Sequence, residues 1–326
     1  MTTVTIKTGS RLHFGLLAHR PQTGREYGGV GVMIDSPGWT VRLETLPHDG
    51  ECRIQLAGQV TDEAPDVKAR VEQILARCRE NATDSQAVRV SIDSAIPSHR
   101  GLGSGTQLAL TIARGLDVLF TDGTRSIDEL ARISGRGLRS AVGTWGFELG
   151  GCIFEGGRTH ADPVGRFISQ VAMPADWRFV LITPQAGVGL SGGEEASAFD
   201  RLAGMSTQLT AELCRIAAME LLPAIQAADF QPAADALGRY GQLAGEYFSP
   251  VQNGVFLHPA MNELSGQLQA AGFTGFAQTS WGPTCFVMTA SSTMAEDVRR
   301  FVENNSPDAG VSVDIVAPRN CGAALT

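Results

Sequence analysis

A glycine-rich turn directly in front of an apolar helical pattern is the part of this 326-residue chain best suited to chemistry. Residues 96–110 read IPSHRGLGSGTQLAL. The first turn of a helix carries N–H groups without helical partners and the positive end of the helix dipole, which together attract anions such as phosphate. Glycines let the backbone approach such a ligand closely. The candidate phosphate-binding residues of this turn are Arg100, Gly101, Leu102, Gly103, Ser104, Gly105 and Thr106.

The two hydroxyl residues of the turn leave two interpretations open. Ser104 and Thr106 can cap the helix, or they can hold a phosphate-bound metal ion. A helix start without any ligand would use the same glycines. The common nucleotide-binding patterns are absent, because no lysine follows the glycines as in GxxxxGK[ST] and the third glycine of GxGxxG is missing.

Two further segments carry cationic side chains. Arg11 and His13 lie two residues apart in the extended-looking SRLHFGLL, so they share one face of a strand. They are either an anion-binding pair beside the cleft or the polar face of that strand. Arg136 and Arg139 lie in the glycine-rich GRGLRSAVG, which predicts an anion-binding loop.

The remaining candidate residues lie in three short segments of the second half. Glu194 and Glu195 follow a glycine turn, and they either begin a solvated helix or contact magnesium or substrate. Trp281 either packs in the core or stacks on an aromatic ring in the cleft. Short polar side chains accompany these residues at Gln252, Asn253, Thr279 and Ser280.

Composition narrows the class of protein. A net charge of −8 argues against general nucleic-acid binding, and no apolar run approaches the roughly 20 residues that span a bilayer. The N-terminus lacks a signal-peptide pattern, so we expect a cytoplasmic location. The six cysteines form no CxxC pair, which predicts buried thiols in a reducing compartment rather than a zinc site.

The apolar periodicity predicts an α+β protein with two domains, at 1–175 and 176–326. Period-two spacing predicts strands at 3–8, 39–46, 52–57, 87–93, 177–184, 282–290 and 311–318. Helical spacing predicts helices at 65–80, 104–120, 126–135, 206–222, 233–247, 260–272 and 293–305. A capping box from Ser126 to Glu129 supports the third of these helices.

The pattern Pro-x-x-x-Gly-Leu-Gly-Ser resembles the central motif of the GHMP superfamily of small-molecule kinases. The resemblance implies an N-terminal domain like the second domain of ribosomal protein S5 and a ferredoxin-like C-terminal domain. In those kinases the loop wraps the nucleotide phosphates, and an Asp takes a proton from the substrate. Here Gly143 stands at the position of that Asp, between Ser140 and the Gly150–Gly151 pair, and a glycine cannot accept a proton.

Six segments together resemble one branch of this superfamily, the β-ribofuranosylaminobenzene 5′-phosphate synthases of methanopterin biosynthesis. They are SRLHFGLL, RGLGSGTQLAL, GRGLRSAVG, GLSGGEE, VQNGVF and QTSWGPT. The resemblance implies that phosphoribosyl pyrophosphate condenses with 4-aminobenzoate or 4-hydroxybenzoate, releasing CO2 and pyrophosphate. It also implies small-molecule substrates and a homodimer, without nucleic-acid or membrane partners.

The resemblance gives the candidate residues their expected roles. We expect Glu194, Glu195, His13 and Arg139 in catalysis, and a magnesium ion held by Ser104 and Glu194. The expected substrate-binding residues are Arg11, Arg136, Ser140, Gln252, Asn253, Thr279, Ser280 and Trp281, together with the glycine turn at 100–106. His99 is a second candidate for acid–base work beside His13.

Two other functions fit the same fold. The first is an ATP-dependent GHMP kinase with a different base, which would transfer phosphate to a hydroxyl or acid group. The second is a binding protein without turnover. A fold by itself does not separate these functions.

Overall fold

The computed structural model of the chain describes residues 2–47, 51–57, 64–80, 86–185, 192–252, 254–306 and 310–326, without the side chains of residues 64 and 192–196. Its strands are β1 Thr3–Lys7, β2 Ser10–Ala18, β3 Tyr27–Ile34, β4 Thr40–Thr45, β5 Arg53–Leu56, β6 Val88–Ser94, β7 Cys152–Glu155, β8 Phe167–Val171, β9 Arg178–Pro184, β10 Phe276–Gln278, β11 Cys285–Thr289, β12 Val311–Val316 and β13 Ala324–Leu325.

The helices of the described residues are α1 Ala64–Glu80, α2 Ser104–Phe120, α3 Ile127–Ser134, α4 Val142–Leu149, α5 Gly192–Arg201, α6 Thr207–Ile216, α7 Leu222–Gln226, α8 Phe230–Gln252, α9 Pro259–Ala270 and α10 Ser292–Asn305. A π-helical segment, Ala217–Leu221, joins α6 to α7. In this part of the chain no helix combines the length and the apolar character needed to cross a membrane.

The N-terminal half contains two sheets. One has the strand order β13-β1-β4-β6-β5, and the other has the order β2-β3-β7-β8. Alternate residues of β1 and β4, such as Ile6 and Leu43, are fully buried, which is the result of their period-two apolar pattern. Helix α2 packs on both of these strands and buries Leu108 and Ile112. This packing fixes the glycine turn at the N-terminus of α2 relative to the sheet.

The C-terminal half contains one antiparallel sheet with the order β10-β11-β9-β12. Helices α5 to α9 connect β9 to β10, and α10 connects β11 to β12. This is the ferredoxin-like order predicted from the sequence, with extra helices in the first crossover. The core of this sheet lies under α9 and α10, where Leu264 and Val298 are buried.

The last residues of the chain pack on the N-terminal half. Strand β13 pairs with β1, and the backbone of Arg319 bonds to Met33 and Gly151. The prediction assigns this segment to the C-terminal domain at 176–326, and its last residues pack on the N-terminal half. The boundary near residue 175 stays a prediction; β8 ends at Val171 and β9 begins at Arg178.

Most of the predicted elements agree with the structure. The capping box of α3 is confirmed, because Ser126 and Glu129 exchange both hydrogen bonds. The predicted helix at 206–222 is helical but not a regular α-helix, because α6 is followed by the π-helical segment Ala217–Leu221. The predicted strand at 282–290 begins at Cys285, because residues 280–283 form a turn instead.

Candidate active site

A cavity of about 400 Å³ lies between the two halves of the molecule. Strand β2, the first turn of α2 and the loop at 135–140 line it from the N-terminal half. Helices α5 and α8 and the loop at 278–281 line it from the C-terminal half. The candidate residues that contribute to its wall are Arg11, His13, Thr106, Arg136, Arg139, Ser140, Gln252, Ser280 and Trp281.

The glycine turn has a left-handed residue at the start of α2 and is anchored by hydrogen bonds to the carbonyl of Gly101. Gly103 is the N-cap of α2 with φ of 76°, and no side chain caps the helix. A Cβ atom at Gly103 would lie 2.6 Å from Cγ of Arg11, so the position leaves room only for glycine. The carbonyl of Gly101 accepts hydrogen bonds from Nη1 of Arg11 at 2.9 Å and from the Thr279 hydroxyl at 2.8 Å.

The structure corrects the role of Ser104. Its hydroxyl does not cap α2, and it instead accepts a hydrogen bond from Nη2 of Arg70 at 3.2 Å. The same guanidinium donates to Ser98 at 2.6 Å. Arg70 lies on α1, where the sequence shows only an amphipathic helix, so sequence reasoning missed it.

Arginine side chains surround the first turn of α2. Nη atoms of Arg70 and Arg136 lie 3.4 Å from where a Cβ atom of Gly105 would be. Burial, with the charges of Arg70 and Arg77, lowers the pKa of the Arg136 guanidinium. Nε of Arg136 is buried and has no hydrogen-bond partner among the described residues. Positive side chains beside a helix N-terminus favour an anion at this position.

His13 on β2 and Ser140 in the loop before α4 both line the cavity. A β-bulge interrupts the pairing of β2 with β3 between His13 and Gly15, and bulges re-aim side chains. Nε2 of His13 lies 2.8 Å from the hydroxyl of Ser140. Burial and the charge of Arg11 lower the pKa of His13 well below its ordinary value, so the imidazole is neutral.

The part of the cavity wall contributed by the C-terminal half is aromatic. Trp281 stacks on Phe199 with ring centroids 4.8 Å apart and planes 12° apart, and Phe248 meets Trp281 edge-on at 5.0 Å. The guanidinium of Arg139 lies 5.2 Å from the centroid of Phe199. Nε1 of Trp281 is buried without a hydrogen-bond partner in the described part of the chain. This end of the cavity suits a flat, apolar ring.

Several other candidate residues have structural contacts rather than cavity contacts. Nη1 of Arg100 donates to the carbonyl of Pro184 at 2.8 Å and its side chain does not line the described cavity, so its place at the phosphate stays a prediction. The side chain of Leu102 is buried in the core. Thr279 is buried and accepts a hydrogen bond from the backbone of His13, which joins β2 to the C-terminal half. His99 does not line the cavity.

Three candidate positions lie outside the described residues. Asn253 is not described, and Glu194 and Glu195 are described only as part of the backbone of α5. Gln252 and Ser280 do line the cavity, and the amide of Gln252 donates to the carbonyl of Val255 at 2.7 Å.

The described residues do not form a protein-held magnesium site. No group of three or more metal-ligating side chains occurs among them, and no Asp or Glu side chain is part of the described cavity wall. The hydroxyl of Ser104, one of the two predicted ligands, accepts a hydrogen bond from Arg70 at 3.2 Å. Magnesium prefers carboxylate oxygens. The side chain of Glu194, the other predicted ligand, lies outside the described residues, so the magnesium site stays a prediction.

Gly143 opens space beside the anion site. It is the second residue of α4, and a Cβ atom there would meet Cγ2 of Thr106 at 3.5 Å and Cγ of Arg11 at 3.6 Å. Both neighbours line the cavity. A side chain at this position would therefore enter the site, and its absence leaves room for a ligand next to Arg11.

Comparison with known proteins agrees with this architecture. Residues 69–150 match the family model described as the GHMP kinases N terminal domain. Homoserine kinase from Cytophaga hutchinsonii superposes with a TM-score of 0.71 at 14% identity, covering 100% of this chain and 98% of that one. The chain has the GHMP kinase fold. The predicted fold class is thus confirmed.

Two archaeal relatives are similar to most of this GHMP-fold chain. Both are named beta-ribofuranosylphenol 5'-phosphate synthase. The protein from Methanothermobacter thermautotrophicus is 26% identical over 300 residues, covering 87% of this chain and 88% of the relative. The protein from Archaeoglobus fulgidus is 27% identical over 298 residues, covering 88% of each. The resemblance predicted from the six segments is confirmed.

Proposed function

We propose that the protein is a β-ribofuranosylphenol 5′-phosphate synthase of methanopterin biosynthesis. It would join phosphoribosyl pyrophosphate to a 4-substituted benzoate and release pyrophosphate and CO2. The phenol in the name of the archaeal relatives favours 4-hydroxybenzoate over 4-aminobenzoate as the arene. The observation that carries the proposal is a single cavity with arginines at one end and stacked aromatic rings at the other.

The arginine end suits the phosphates of the donor substrate. Departure of pyrophosphate from the ribose C1 requires neutralisation of the charge that develops on the leaving oxygen. Arg11 and Arg136 line this end beside the N-terminus of α2 and supply positive charge. Arg70 lies next to the same helix turn, with its guanidinium on Ser98, Ser104 and Asp66. Guanidinium groups bind phosphate with two parallel hydrogen bonds, which also fixes its orientation.

The aromatic end suits the benzoate. Trp281 and Phe248 are buried in one hydrophobic cluster, and with Phe199, which packs against them, they give the benzoate an apolar wall that excludes water. Arg139, above Phe199, is placed to pair with a carboxylate on that ligand. An apolar surrounding also favours loss of CO2, because the carboxylate loses charge as it leaves.

Magnesium remains part of the proposal as a companion of the substrate. We expect the ion to enter with the pyrophosphate group, because the described side chains of the cavity offer it no carboxylate. The charge neutralisation argued above comes from the arginines alone. A homodimer in the cytoplasm is also proposed from the resemblance.

The test is to incubate the purified protein with phosphoribosyl pyrophosphate and 4-hydroxybenzoate and to follow phosphorus and carbon by NMR. We expect pyrophosphate to appear together with a product whose ribose C1 is bonded to a ring carbon. Pyrophosphate without that bond would mean simple hydrolysis and would contradict the proposal. Conversion of ATP to ADP with a phosphorylated acceptor would instead establish the kinase.

A further inference from the structure

A buried carboxyl group lies directly behind the cavity wall. Glu155 is the last residue of β7 and is fully buried. Its Oε1 atom lies 3.4 Å from the hydroxyl of Ser140 and 3.1 Å from the backbone N of Ala141, and both groups donate to it. Its Oε2 atom accepts a hydrogen bond from the N–H of Gly157 at 2.8 Å. No arginine or lysine is among these partners in the described residues.

His13 fixes the direction of the hydrogen bonds in this network. The N–H of Gly15 donates to Nδ1 of His13 at 3.2 Å, so the proton of the neutral ring is on Nε2. Nε2 then donates to the Ser140 hydroxyl at 2.8 Å. The Ser140 hydroxyl also accepts a longer hydrogen bond from the N–H of Val142 at 3.3 Å, and it is left to donate its own proton to Glu155. The chain of donors therefore runs from His13 through Ser140 to the carboxylate.

A phenolic substrate needs a proton acceptor in this cavity. When the ring carbon of 4-hydroxybenzoate attacks the ribose C1, positive charge develops on the phenolic oxygen unless its proton leaves. The nitrogen of 4-aminobenzoate can carry that charge until CO2 departs. A base in the site would thus serve the hydroxy substrate far more than the amino substrate.

We propose that the phenol of the arene replaces the long hydrogen bond from Val142, and that the Ser140 hydroxyl accepts the phenolic proton while it passes its own proton to Glu155. The inference rests on the proposed function. As the proton moves, the ring carbon bonds to the ribose C1 and the bond from C1 to pyrophosphate breaks. The electron pair of the bond to CO2 then returns to the ring, and the reverse proton transfer restores the phenol. Ser140 is the residue that touches substrate, whereas Glu155 and His13 act through it.

The pH dependence of this step can be assigned to one group. Burial raises the pKa of Glu155 from 4.5 to about 7. The titratable groups that face it are His13 from β2 and Tyr240 from α8; burial lowers the pKa of His13 and raises that of Tyr240, so both stay neutral near pH 7.

The experiment compares the wild type with Glu155→Gln for both arenes between pH 5.5 and 9. With 4-hydroxybenzoate, we expect the wild-type kcat to rise through a pKa of about 7 and Glu155→Gln to lose that rise, at a cost of about 10²-fold near pH 7.5. With 4-aminobenzoate, we expect a loss of less than about 10-fold. Glu246→Gln, an exposed change on α8, should leave both activities unchanged.

Each outcome decides between the inference and a merely structural role. Equal losses with the two arenes, or an unchanged pH profile in Glu155→Gln, would overturn the relay. If Glu155→Gln does not fold, Ser140→Ala must show the same difference between the arenes, because it removes only a hydroxyl from the cavity wall. Absence of wild-type turnover with either arene would overturn the proposed function itself.

Discussion

Arg136 is half-buried beside Arg70 and Arg77, and this burial and like charge, which lower the pKa of its guanidinium, cost folding free energy in the absence of an anion. We predict that Arg136→Gln leaves the free energy of unfolding unchanged or raises it by up to about 1 kcal/mol. The same variant should bind pyrophosphate about 10–100-fold more weakly, because charge-assisted hydrogen bonds are lost. Calorimetric titration with pyrophosphate in EDTA, together with urea unfolding, measures both quantities.

Arg132 provides the matched control for this variant, since it is exposed on α3 only one turn away. Arg132→Gln should change neither the affinity nor the stability. An Arg136→Gln protein that is strongly destabilised and still binds pyrophosphate normally would show that the arginine is structural.

Glu155 makes the protein less stable as the pH rises, whereas a carboxyl group with a lowered pKa would do the opposite. Its pKa is raised on folding from 4.5 to about 7, so its contribution to stability is present below pH 4.5 and is lost as the pH rises to about 7. We predict that Glu155→Gln gains roughly 3 kcal/mol relative to the wild type between pH 4.5 and pH 8. Urea unfolding of both proteins at several pH values tests this, and a difference that does not vary with pH would contradict it.

At the scale of elements, we expect Gly143 at the N-terminus of α4 to leave room for a phosphate beside Arg11. A Cβ atom at Gly143 would have its nearest neighbours at 3.5–3.6 Å, so Gly143→Asp can be accommodated. An acid near a helix N-terminus is also favourable by about 0.3–1 kcal/mol. We predict that Gly143→Asp folds normally but raises the KM for phosphoribosyl pyrophosphate about 10–100-fold, because the carboxylate would pair with Arg11 and repel phosphate.

The control for this variant is Gly143→Ala, which should keep more than half of the wild-type activity. Steady-state kinetics of the two variants separates the effect of charge from that of volume. Equal losses in both would mean that space, rather than charge, limits the site.

The elements were largely predictable from the sequence, because their signals are local. The capping box fixes the start of α3, and the apolar pattern of 104–120 matches α2 to the residue. The site was predictable only in part. Glycines and arginines in the turn and in the 135–140 loop mark the anion site, but Arg70 and Glu155 reach it through tertiary contacts. Their own segments read as an ordinary amphipathic helix and an ordinary strand.

At the scale of the whole molecule, the cavity exists only because both halves meet. The backbone N–H of His13 donates to Thr279, and the backbone N–H of Ser280 donates to His13, so the wall is continuous across the two halves. The C-terminal segment adds a further connection by pairing β13 with β1. We infer that arginines from the N-terminal half and aromatic rings from α5, α8 and the 278–281 loop act on two substrates held side by side.

The most direct test of this account is the release of CO2 from carboxyl-labelled 4-hydroxybenzoate by the purified protein. The account predicts label release that requires phosphoribosyl pyrophosphate, with one CO2 for each pyrophosphate formed. Release should be lost in Arg136→Gln at low donor concentration and kept in Arg132→Gln. No labelled CO2 from either benzoate, under conditions where both ligands bind, would contradict the account.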